Sequence, residues 1–269
     1  MQDYPSRNSR FLSGLNVAAQ YGSFFFLVPY LILLVLEVST LLKEKEEGMR
    51  IGLSIAGVTP WQFYLSNFLV SLFNNFIITL CLCFFGYILD FKFFSNGLLL
   101  FDFIVLWGNG TLMSLIGLMI TSIANDKKIG MSIAYAFVLY SIVMQWMFTG
   151  GFLMMFLYQT SEKWWISAVK GFFNLYPSFH YSKIFSDVER KADRHFDSFA
   201  NKWIEGGSFT YDDLFAKTSG ATSFFPQNYS IPSPMDSFLN MLLTSIVEIV
   251  VIWYFDHIVA SVSLLVDIE

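Results

Sequence analysis

The sequence predicts an all-α integral membrane protein, and three observations lead there. Charged residues make up 14% of the 269 and apolar ones 55%, where a soluble domain carries roughly 25% charged residues. Mean hydropathy is +0.55. Five stretches also run apolar for the length of about 20 residues that a helix needs to cross a bilayer. Those runs are continuous rather than alternating, which does not fit a β-barrel.

In chain order, residues 1–20 read as an arm outside the membrane, and span A covers residues 21–42. Its apolar run is too long for the core of a secretory signal, so it reads as a true span. A charged connector, 43–57, reads as a helix leaving the bilayer and turning along its surface. Spans B, C and D follow at 63–89, 98–123 and 129–158. A long loop, 159–236, precedes span E at 237–259 and a tail to 269. Thr218–Pro234 is rich in Ser, Thr and Pro and reads as irregular.

Five spans place the two chain ends on opposite sides. The side with the 43–57 connector holds Lys43, Lys45, Arg50, Lys127 and Lys128, and the short segments opposite hold Arg7, Arg10 and Lys92. Long loops count little in the positive-inside rule, so the bias puts the connector in the cytoplasm and the long loop outside. A glycosylation sequon at Asn228-Tyr229-Ser230 in the long loop agrees. The second match, Asn109-Gly110-Thr111, sits mid-span, out of reach. A net charge of −5 spread along the chain argues against nucleic acid as a partner. Cys81 and Cys83 point to different sides of a helix at their spacing, so they read as small apolar residues rather than a disulfide or metal site.

Four features stand out as candidates for function. In Glu44-Lys45-Glu46-Glu47-Gly48-Met49-Arg50-Ile51-Gly52-Leu53 the charges come first and apolar residues return. This is either a solvated connector or an element that receives motion from a cytoplasmic motor. The turn signal at Gly57–Pro60, with Trp61 just after it, fixes its far end. Trp164-Trp165 opens an apolar, aromatic run that Pro177 breaks after Tyr176. That pattern fits two short helices dipping into the outer leaflet, or a small hairpin resting on the spans. Glu37, Asp102 and Glu248 are acids within spans, and such groups are functional candidates by default. Glu37 and Asp102 lie near span ends, whereas Glu248 is deep in span E with no base at its depth. Finally, Gly108, Gly110, Gly117 and Gly150-Gly151 allow close helix approach.

No G-x-x-x-x-G-K-[ST] phosphate loop and no H-E-x-x-H occurs, and His180, His195 and His257 are scattered. No catalytic, metal or cofactor site is therefore expected within the chain.

The order of these pieces resembles the membrane domain of the A subfamily of ABC transporters. Glu44-Lys45-Glu46, Met49-Arg50 and Gly52-Leu53 are similar to the family's E-K-E stretch and its following Gly-Leu, in a shorter copy. Trp61, Tyr64, Leu65 and Ser66 resemble the start of the family's third span. Trp164–Lys183, with Tyr176-Pro177 at its break, is similar to the family's outer-leaflet helix pair. Trp253-Tyr254-Phe255-Asp256 looks like the end of its last span, while Glu248 stands where the family commonly has an aromatic or apolar residue.

The resemblance implies ATP-coupled movement of lipids or sterols. It implies that ATP and Mg belong to an ATPase domain outside this chain. It further implies three partners: that nucleotide-binding domain, a second transmembrane half, and membrane lipids. Docking on the ATPase would fall to Glu44, Lys45, Glu46, Met49, Arg50, Gly52 and Leu53, and spans A, B and E would line the lipid path. Two other readings stay open from the residues alone. One is a permease for polar cargo, with Asn74, Asn75, Asn109 and Gln145 lining a wet lumen. The other is a channel subunit or scaffold.

Overall fold

The computed structural model describes residues 17–149, 156–159, 163–192, 195–197, 202–204, 206–220 and 229–255. Among them, five helices are long and apolar enough to cross a membrane. Helix α1 (Val17–Glu46) is span A, lengthened at both ends. At 30 residues it reaches about 45 Å, with Pro29 inside it. Helices α3 (Pro60–Ile88), α5 (Leu99–Ile123), α6 (Lys127–Thr149) and α10 (Pro234–Tyr254) are spans B to E.

The expected helix over 43–57 is two pieces. Lys43–Glu46 continues α1, and a separate helix α2 (Met49–Ile55) follows. The break is Gly48, whose φ of 71° is left-handed, a conformation open to glycine at no steric cost. Gly57 repeats it at φ 89° and returns the chain toward α3.

Where a span begins, the sequence writes a cap. Thr59 and Gln62 bond reciprocally ahead of α3, and Ser233 and Asp236 ahead of α10. Each helix has proline at its first position, where a missing N–H costs nothing.

Helix α5 is the most buried span and forms the centre: α1, α3 and α10 all pack on it. Helix α6 packs mainly on α1. The other end of the bundle carries a short helix α4 (Lys92–Ser95) and two longer ones, α7 (Trp164–Asn174) and α8 (Pro177–Ala192). It also carries α9 (Tyr211–Phe215) and two small antiparallel ribbons. Strand β1 (His195–Asp197) pairs with β2 (Lys202–Ile204), with Phe196 opposite Trp203. Strand β3 (Thr218–Gly220) pairs with β4 (Tyr229–Ile231), so part of the stretch expected to be irregular is a ribbon. The reason is alternation at its ends: Ile231 turns into the core while Ser230 faces out.

Aromatic packing joins this end to the spans. Phe93 of α4 stacks on Phe185 of α8 at 4.1 Å, and both pack against Phe26 of α1. Lys191 of α8 pairs with Asp213 of α9. Burial raises the Asp213 pKa, but the Lys191 ammonium and the Thr210 donors outweigh it and hold the carboxyl below its usual range.

One close approach sets the bundle spacing. A Cβ at Gly110 of α5 would stand 2.6 Å from the Tyr30 ring of α1 and 2.7 Å from Asn75 Oδ1 of α3. Neither neighbour can retreat without moving its helix. Gly110→Val is therefore expected to lower stability by roughly 1–3 kcal/mol, the usual cost of overpacking. The check is a thermal melt in detergent, with Gly52→Val, whose Cβ position is open, as the variant that melts like wild type.

Candidate functional site

The E-K-E stretch folds into a clamp. A helix leaves its last carbonyls and first amides without partners. Lys45 Nζ donates to the carbonyls of Thr121 (3.1 Å) and Ala124 (2.8 Å) at the end of α5. Next to it, Glu46 Oε1 accepts from the amide of Lys127 at the start of α6, at 2.9 Å. A cation at a C-terminus and an anion at an N-terminus both oppose the helix dipole favourably. Two neighbouring residues of α1 thus hold both sides of the α5–α6 turn.

Helix α2 is pinned by one side chain. Arg50 donates to Tyr64 Oη at 3.1 Å, and its guanidinium lies over the Phe63 and Tyr64 rings at 4.9 and 5.1 Å. Around this anchor α2 is open. Met49, Ile51, Gly52, Leu53 and Ile55 are exposed, Ile55 at 84%. Glu44 is part-buried and makes none of the clamp contacts.

A polar seam runs between α1, α3 and α5. Asn75 Nδ2 donates to Ser114 Oγ (2.9 Å), which donates to Glu37 Oε1 (3.2 Å). Thr79 gives its proton to the Asn75 carbonyl (2.7 Å), so Tyr30 is the donor in the 2.7 Å contact between their hydroxyls. Glu37 therefore turns inward to Ser114, and α1 runs on for another two and a half turns past it. Asn109 is also buried, and no partner is found for its side chain among the described residues. The same holds for the Asp102 carboxyl.

The hairpin of α7 and α8 goes deep. Its tip is Tyr176-Pro177, and the Tyr176 hydroxyl lies 2.6 Å from Ser141 Oγ and 3.1 Å from the Phe137 carbonyl. Both belong to the middle of α6. Ser178 and Ser182 extend the seam, donating to Ser141 (3.3 Å) and to Gln145 Oε1 (2.6 Å). The hairpin is thus tied to the middle of α6, where its hydroxyls meet polar groups of that helix. Trp164 and Trp165 sit exposed at its mouth, as suits indole rings at an interface. Glu248 of α10 is buried, and its Oε2 finds no partner among the described residues. Asn228 and Asp256 lie outside the described residues.

The sequence reading missed two parts of this site. Lys183, which the sequence reading named only as the end of the Trp164–Lys183 segment, is fully buried. It donates to Asp187 (2.6 Å) and to the Pro232 carbonyl (2.5 Å), tying the hairpin to the start of α10. Asp187 one turn along was the available signal. The second part is a groove on α6. A cavity of about 400 Å³ opens between α6 and the hairpin, walled by Phe137, Tyr140, Phe172, Leu175 and Tyr176. Through Ile133 and Ala136 it continues to Lys128, near the clamp.

Comparison with known proteins identifies the family. "ABC transporter A family member 8" of Dictyostelium discoideum is 25% identical over 241 residues, covering 87% of this chain. The chain spans 27% of that relative's length. The model of a family described as ABC-2 family transporter protein matches residues 2–254. A five-span membrane bundle with a clamped connector at one end and an inserted hairpin at the other is the form this match takes here, and the chain belongs to the ABC-2 transporter family as a multi-pass membrane domain.

Proposed function

We propose that this domain moves lipid toward the outer leaflet when an ATPase acts on α2 and the α1 clamp. The groove on α6 carries the reading. It is apolar, open to the side, and runs from Lys128 at the clamp end to the hairpin tip. Acyl chains can travel along such a wall without leaving an apolar medium. The path is therefore assigned to span D and the hairpin, in place of spans A, B and E.

In this reading ATP and Mg bind a separate nucleotide-binding domain, and a second transmembrane half completes the transporter. The exposed Met49, Gly52 and Leu53 face of α2, together with Glu44, is the docking surface. The connector then lies in the cytoplasm, and the hairpin and the Asn228 sequon lie outside. A polar permease is less favoured, because Asn75 and Gln145 are engaged within packed seams.

The test is ATP-driven export of a fluorescent phospholipid from liposomes holding the complete transporter. Ala136→Trp, on the exposed groove wall, is expected to cut export about tenfold, equivalent to about 1.4 kcal/mol on the barrier, with the melting temperature unchanged. Full export in that variant, or export of a polar solute alone, overturns the assignment.

A further inference from the structure

We propose that Asp102 holds a proton, and that this proton latches the turn after α4 to the central helix. The site lies at the hairpin end of the bundle, in the first turn of α5. Asp102 is 1% exposed, and neither carboxyl oxygen has a partner among the described residues, not even an amide of its own turn. What faces it is another acceptor. A Cβ at Gly97 would stand 2.4 Å from Asp102 Oδ2 and 2.1 Å from the carbonyl oxygen of Phe93, so the two oxygens converge on one point. No amide among the described residues donates to that carbonyl.

The occupant follows from the geometry. Two acceptors turned toward each other repel, and a proton on one makes it a donor. An isolated ionised carboxylate is also far more costly to bury than the neutral acid. The elements packed around the site supply no cation instead. Lys92 pairs with Asp90, Lys183 with Asp187 and Lys191 with Asp213. Cys83 of α3 and Tyr30 of α1 carry no positive charge in either protonation state, and Asp236 of α10 caps its own helix with Ser233. A calcium ion takes several oxygen ligands, and no group of three or more acidic, histidine or cysteine side chains gathers among the described residues.

The latch matters because α4 is a junction. Phe93 stacks on Phe185 of α8, and Phe94 packs edge-on against Phe26 of α1 at 5.1 Å. Asn96 donates to the Ala192 carbonyl at the end of α8 (2.9 Å) and accepts from the Phe209 amide (2.8 Å). A proton between Asp102 and Phe93 thus joins the hairpin side of the molecule to α5. The folded chain keeps a proton that the unfolded chain releases, so stability falls as pH rises, and loss of the proton frees the turn. The inference rests on the fold and not on lipid export.

The test is infrared spectroscopy on the complete transporter in liposomes at neutral pH. The wild-type spectrum minus that of Asp102→Asn is expected to show the carbonyl band of a protonated carboxylic acid, shifted in heavy water. Hydrogen exchange then reads the latch. An amide at this position can donate to the Phe93 carbonyl as the acid does, so Asp102→Asn should keep wild-type protection over residues 93–97. Asp102→Ala should exchange there about tenfold faster. Gly97→Ala, which puts a methyl between the two oxygens, takes its place if Asp102→Ala fails to fold. A carboxylate band in place of the acid band overturns the proposal, as does wild-type protection in the variants that break the latch. A melting temperature that drops in wild type but not in Asp102→Asn when choline replaces sodium and potassium would put a metal ion there and overturn it too.

Discussion

Asp187→Ala is expected to destabilise the domain by up to about 3 kcal/mol, because it removes a carboxylate to which a buried ammonium donates. Removing one partner of a buried ion pair costs roughly 3–5 kcal/mol, and the lower figure applies since the Asp187 side chain is 17% exposed. Lys183 cannot reach water by relaxing, since its side chain is 1% exposed, and the Pro232 carbonyl among its partners is a neutral acceptor. Lys183→Met should be milder, because the carboxylate left behind can be hydrated. The double variant should recover part of the loss. Thermal melts of the four proteins in one detergent decide it. A melt for Asp187→Ala no lower than for Lys183→Met would mean that the charge is not the source of the stability.

Lys45→Met is expected to uncouple ATP hydrolysis from transport. The variant keeps the packing of the stem and removes the charge from the end of α5. A cation at a part-buried helix C-terminus contributes up to about 2 kcal/mol. Losing about 1.4 kcal/mol of that from the coupled state lowers transport per ATP about tenfold. Glu44→Ala provides the contrast, since Glu44 takes no part in the clamp. Its melting temperature should match wild type, whereas Lys45→Met should melt lower. If Glu44 docks on the ATPase, its variant loses coupling all the same. The readouts are ATP turnover and lipid export in the same liposomes. Normal export per ATP in Lys45→Met would remove the clamp from the mechanism.

The spans were legible in the sequence because lipid leaves the backbone few options. A segment that crosses must satisfy its own amides and carry about 20 apolar residues. Two of the helix starts were written as well, in Thr59-Pro60-Trp61-Gln62 and Ser233-Pro234-Met235-Asp236. The Tyr176-Pro177 break marked the hairpin, since proline cannot continue the helix before it. What was hidden depended on partners distant in the chain. Lys45 reads as one more surface charge until α5 ends beside it, 79 residues later. Glu37, Asn75 and Ser114 are ordinary residues singly, and only the mutual rotation of three helices brings them into one line. The groove was invisible for a related reason. Exposed Ile and Ala on α6 look like any lipid-facing surface, and the wall opposite comes from a hairpin some 40 residues on.

Helix α1 has an uneven stiffness along its length. Below Pro29 the helix runs without a further proline to the clamp. At Pro29 one rung is missing, and proline is where long helices yield. Above that point lies Phe26, lodged against Phe185 of the hairpin. The helix is thus rigid along the length that carries the seam and the clamp, and its one built-in weak point lies a single turn from the ring contact that seats the hairpin.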